Sequence, residues 1–127
     1  MLPKTTTEQR RYPRVSKNLP IKIKNGNFDI ITETKNISCT GAYCQADKYI
    51  PVFTKIKTTI LLPSKTKNHT QNISCSGVVV RVEKNDNTLE PQYNIAIYFN
   101  EISKLNMLKI NRFVKNQPDY LLDLSRK

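Results

Sequence analysis

From Leu19 onward the chain falls into a period of two, broken at short intervals by turn residues. Leu19-Pro20-Ile21-Lys22-Ile23-Lys24 alternates apolar and basic side chains and stops at Asn25-Gly26, a dipeptide suited to a two-residue hairpin turn. The next run sets Phe28, Ile30 and Thr32 on one face and Asp29, Ile31 and Glu33 on the other, so the two runs predict a β-hairpin. Ile56, Thr58, Ile60 and Leu62 repeat the pattern before Pro63. Gly77 to Glu83 is expected to place Val78, Val80 and Val82 on one face, and Tyr93, Ile95, Ile97 and Phe99 occupy alternate positions of a last run. Short strands separated by turns define a mainly β chain, as a barrel or a sandwich.

After Asn100 the period changes. Ile102, Leu105, Met107 or Leu108, and Phe113 follow a helical stripe, with Asn100 or Ser103 as the expected N-cap and Glu101 near the positive end. Lys109, Arg112 and Lys115 suit the negative end, and Pro118 marks a stop. The 127 residues therefore divide into a basic arm over 1–17, expected to be extended and flexible, a β domain over 18–100, and a C-terminal helix and tail over 101–127. No run approaches the roughly 18 apolar residues of a membrane span, so membrane insertion is not expected.

Net charge is +11, from 21 Lys and Arg against 10 Asp and Glu, a surplus that favours an anionic partner. Arg10, Arg11, Arg14 and Lys17 concentrate it in the arm. Met1 to Arg14 hold no apolar run, so no secretory signal is read and a cytoplasmic setting is expected. An odd number of cysteines, Cys39, Cys44 and Cys75, then points to reduced, buried or half-buried thiols rather than a disulfide framework. With His69 they make a loose four-ligand set that lacks a paired CxxC, so no metal is expected. One histidine, no carboxylate pair and three glycines leave neither an acid–base pair nor a phosphate loop, so no catalytic residue is assigned and the chain is not read as an enzyme.

Two motifs remain. Arg10-Arg11-Tyr12-Pro13-Arg14 carries an RxxxR pattern, and after 21 intervening residues Asn36-Ile37-Ser38-Cys39-Thr40-Gly41 carries [DN]xSxxG. In this order, followed by the valine-rich run 77–83 and the run 93–99, they resemble the PilZ family over residues 8 to 115. The resemblance implies a six-stranded antiparallel β-barrel with a basic N-terminal arm and a C-terminal α-helix. It also implies a receptor for cyclic di-GMP, with no other cofactor, signalling through a conformational change to an unidentified downstream protein.

The site expected on that basis is Arg10, Arg11, Arg14, Asn36, Ser38 and Gly41. Cyclic di-GMP carries two phosphates and two guanines, and arginine donates a fork of hydrogen bonds to guanine O6 and N7. Asn36 and Ser38 are two apart, so both face the same side of a strand. Gly41 is expected to permit a turn with positive φ or close approach by the ligand. Tyr12 and Tyr43 are candidates for stacking on a base or for packing in the barrel. Two rivals explain less of the sequence. A basic barrel binding single-stranded nucleic acid accounts for the charge and the tyrosines but not for the paired motifs, so no DNA or RNA partner is expected. A protein-docking module without a ligand has no use for intact motif positions. The motif also has a near copy, Asn72-Ile73-Ser74-Cys75-Ser76-Gly77, identical at five of six positions, which lacks an arginine arm and is expected to be inert.

Overall fold

The computed structural model describes residues 12–26, 28–63 and 70–117. Seven strands and one helix follow the chain: β1 (Arg14–Val15), β2 (Pro20–Asn25), β3 (Phe28–Ser38), β4 (Gly41–Ala46), β5 (Lys55–Pro63), β6 (Thr70–Asn85), β7 (Gln92–Glu101) and α1 (Lys104–Lys115). Each pairing is antiparallel, and the order β3-β2-β5-β6-β7-β4 returns to β3, which closes a six-stranded barrel. β1 adds to β3 outside that ring. Closure removes most of the unpaired strand edge that an open sheet would present.

The predicted hairpin forms, with Asn25 paired to Phe28 and Gly26 at φ 56. Alternation puts Ile21, Ile23, Ile30, Ile56, Ile60, Leu62, Ile95, Ile97 and Phe99 inside, mostly β-branched side chains that suit a pleated, packed surface. Ile110 and Val114 of α1 join the same core. The helix starts later than the earliest expectation. β7 runs through Glu101, which pairs with Ser76, so Asn100 is strand and not cap. Ser103 is the cap, and its hydroxyl accepts the Asn106 N–H at 3.1 Å. Arg112 and Lys115 occupy the last turn as expected. Among the described residues no helix is long and apolar enough to cross a membrane.

Two strands break their own alternation. In β3, Thr34 pairs with Cys44 and Asn36 with Tyr43, so Lys35 is an extra residue. In β6, Val79 pairs with Ile97 and Arg81 with Ala96, so Val80 is extra. Each bulge shifts the inward parity by one. In β3 the inward residues change from Ile30 and Thr34 to Ile37. In β6 the expected Val78, Val80 and Val82 face does not form: Val79 is in the core and Val80 is 46% exposed.

Candidate functional site

Both bulges border one cleft of about 410 Å³ on the outside of the barrel. Its lining includes Arg14, Asn36, Ser38, Tyr43, Arg81 and Tyr98. Without the extra residue at Lys35, Ile37 would face solvent and Asn36 and Ser38 the core. The bulge sends Ile37 inward and leaves both polar side chains on the cleft side.

Arg14 reaches the same place through β1. Val15 is buried, so its neighbour must point outward, and the ladder sets Arg14 directly opposite Ser38. The segment that follows is fixed to a fully buried threonine. Thr34 Oγ1 donates to the Lys17 carbonyl at 2.6 Å and accepts the Leu19 N–H at 2.9 Å. The Thr34 N–H donates to the Leu19 carbonyl at 2.9 Å, and Asn18 Nδ2 donates to the Thr34 carbonyl at 2.8 Å. Residues 14–19 are therefore tied to the barrel, because Val15 and Leu19 bury apolar surface, Val15 pairs with Ile37, and Thr34 supplies the hydrogen-bond partners of Lys17, Asn18 and Leu19. Lys17 contributes its carbonyl and does not line the cleft. Arg10 and Arg11 lie outside the described residues.

The second motif closes a tight turn. The Thr40 N–H donates to Ser38 Oγ at 3.2 Å, and the two hydroxyls are 3.0 Å apart. Ser38 is only 4% exposed, so its hydroxyl serves the turn first and faces the cleft second. Gly41 has no positive φ, contrary to one expectation. A Cβ at Gly41 would collide with the Ile97 carbonyl oxygen, so the backbone that approaches closely here is β7.

The floor is a checkerboard. On the outward face of β4 and β7, Gly41 pairs with Tyr98 and Tyr43 with Ala96. Across this ladder each tyrosine thus stands opposite a small residue, which leaves a depression along the Gly41–Ala96 diagonal, while Val78 and Asn36 flank Tyr98 and Tyr43 on the other side. The far wall is Val80 and Arg81, held outward by the second bulge. Among the described residues the lining contains two guanidinium groups and no carboxylate, which favours an anion, and the tyrosines favour planar rings.

The cysteines are buried or half-buried as expected. Burial pushes all three thiols up, Cys44 to about 12, so they stay protonated near neutrality and present no thiolate.

Of the residues expected from the motifs, Arg14, Asn36, Ser38 and Gly41 meet in the cleft, and Tyr43 joins them. Tyr12 packs against the core. Sequence reasoning did not single out Arg81 and Tyr98, which line the same cleft. Arg81 is the one cation inside the valine-rich run 77–83, a signal that was visible, but its face depends on a bulge that alternation does not reveal.

The sequence matches the family described as PilZ domain over residues 8–116. No curated protein matches it. Among solved structures, it is similar to the Bacillus subtilis inhibitor of motility MotI/DgrA, with TM-score 0.73 and 23% identity, covering 94% of this chain and 53% of that one. It is also similar to the PilZ domain of YcgR from Escherichia coli, solved with c-di-GMP, with TM-score 0.62 and 12% identity over 94% of this chain and 98% of that one. PlzA from Borreliella burgdorferi, in complex with c-di-GMP, gives TM-score 0.59 and 11% identity over 94% of this chain and 53% of that one. The chain thus spans about half the length of two of these three proteins.

Proposed function

The chain belongs to the PilZ domain family, and on that premise we propose that it is a cyclic di-GMP receptor that holds the ligand in the cleft over β3, β4, β7 and β6. The observation that carries this reading is the ladder pair Arg14–Ser38. Two motifs separated by 21 intervening residues in sequence stand on neighbouring strands, with Asn36 beside them on the same face. Arg14 supplies a planar fork for guanine O6 and N7 or for a phosphate. Asn36 offers an amide to a base edge, and Ser38 can donate its proton to an acceptor when Thr40 supplies the one between their hydroxyls. Arg10 and Arg11 are proposed to add phosphate or base contacts from the arm. Two relatives bound to c-di-GMP support the same ligand.

The proposed output is a change of conformation read by a protein partner in the cytoplasm, with no chemistry performed on the ligand. Calorimetric titration with cyclic di-GMP, beside cyclic di-AMP and GTP, tests the reading. Binding in the micromolar range or tighter is expected, about −8 kcal/mol or better. Cyclic di-AMP should bind far more weakly, because adenine presents an amino donor where guanine presents O6. Equal binding of both dinucleotides overturns the reading. So does tight, steeply salt-dependent binding of oligonucleotides without any of cyclic di-GMP.

A further inference from the structure

The cleft has two walls, and the sequence motifs account for one. Arg14, Asn36 and Ser38 line the β1–β3 side, whereas Arg81 and Tyr98 come from β6 and β7. We propose that Arg81 and Tyr98 form a second recognition locus that takes the other guanine of a cyclic dinucleotide, an inference that rests on the cyclic di-GMP reading above.

Three observations converge on it. The first is topology: β3 and Arg81's strand β6 are separated by β4 and β7, three interstrand steps or about 14 Å measured along the curved sheet at the usual spacing, with Tyr98 of β7 two steps from β3. One nucleobase does not bridge that width, and a ligand with two bases does. The second is that Tyr98 is 52% exposed and faces Gly41 across the ladder, so no neighbouring side chain covers its ring from β4. A half-exposed ring that is open on its β4 side is a stacking surface for a base.

The third observation concerns Arg81. The Val80 bulge turns it toward the cleft, and its ion-pair partner is Glu83, with Nε to Oε2 at 3.8 Å and side chains 63% and 54% exposed. So long and open a pair is weak, and an incoming phosphate or guanine edge displaces it readily. Glu83 therefore acts as a mild competitor for the guanidinium. It follows that substitutions of Arg81 and Glu83 move affinity in opposite directions.

The test is titration of the full chain and its variants with cyclic di-GMP and with GMP. Arg81→Ala should weaken cyclic di-GMP binding about tenfold or more, as expected for loss of a charged hydrogen bond. Arg81→Lys should recover little, because lysine has no fork. Tyr98→Ala should weaken binding about fivefold or more, while Tyr98→Phe keeps the ring and the affinity. Glu83→Gln should tighten binding about twofold. GMP carries one guanine, so the preference for cyclic di-GMP over GMP should fall in Arg81→Ala. Unchanged melting temperatures exclude misfolding, since these side chains are exposed. If the unmodified protein binds cyclic di-GMP while Arg81→Ala and Tyr98→Ala stay within about twofold of it, the second locus is overturned and the receptor reading stands. If the unmodified protein does not bind, both fall.

Discussion

Asn36–Gly41 and Asn72–Gly77 differ at one residue in six, yet the first bends and the second runs straight. Both send their isoleucine inward, and both point Asn and Ser outward. The first leaves β3, turns at Cys39-Thr40 and re-enters the sheet as β4, with Ser38 accepting from the turn. The second lies wholly within β6, paired with β5 from Asn72–Leu61 to Gly77–Ile56, and Ser74 Oγ meets Thr59 Oγ1 at 3.3 Å. What separates them is the neighbour. A continuous partner strand keeps the second copy extended, while the first copy's partners, β1 and β4, bring Arg14 and the turn to the same serine. Local sequence proposes a conformation, and the strand alongside selects it.

The sharpest way to break this comparison is through the two glycines, which press on β7 from opposite sides. Gly41→Ala drives a Cβ into the Ile97 carbonyl, a backbone atom that cannot step aside, so a loss of about 3 kcal/mol or more is expected. Gly77→Ala meets the Ile97 Cγ2 methyl at 2.8 Å and the Tyr98 carbonyl at 3.2 Å, a milder overlap that still presses on a stiff, buried β-branched side chain, so about 1–2 kcal/mol is expected. Urea unfolding of the two variants decides it, and equal losses would dissolve the distinction.

Arg14 is the next lever, since it sits beside the first serine and has no counterpart beside the second. Arg14→Ala should weaken cyclic di-GMP binding by about 1.5–3 kcal/mol and leave thermal stability close to unchanged. A fall in stability with intact binding would make Arg14 a structural residue.

Ser38→Ala against Ser74→Ala comes third. Removing the Ser38 hydroxyl should cost about 1 kcal/mol in ligand affinity and, because the turn loses its acceptor, a similar amount in unfolding free energy. Ser74→Ala, at an exposed position, should leave affinity unchanged and move stability by less than about 0.5 kcal/mol. The reverse order would put the site on the wrong copy.

The smallest expected effect is in the thiols. Cys75 is half-buried and Cys39 is buried, so a thiol reagent at neutral pH should label Cys75 before Cys39 or Cys44, and mass spectrometry of digested samples reads the order. Labelling of Cys39 first would mean that the turn opens more easily than the β6 strand.

Much of the barrel was legible because apolar alternation and Asn25-Gly26 are local signals, and the site's motif wall was legible because RxxxR and [DN]xSxxG are short. The far wall was not. Lys35 and Val80 carry no mark of a bulge in their own side chains, because a bulge arises when one strand outruns its partner, and the partner is elsewhere in the chain. Gly41 was legible as a required glycine, but the close approach of the Ile97 carbonyl was not, since Ile97 is distant in sequence.

The closed ring also has a consequence for how the molecule assembles. Asn25 meets Phe28 across a short loop, whereas Gly41 meets Tyr98 and Ile21 meets Ile60 only after long stretches of chain have been gathered in. Contacts of that kind carry the largest loop-closure entropy and slow the folding of β topologies. The floor of the cleft lies on the β4–β7 seam, one of these long-range pairings, so a place for a ligand exists only where the ring has closed. Any small molecule that occupies the finished cleft therefore selects completed barrels from the nascent population and draws the folding equilibrium toward them by mass action.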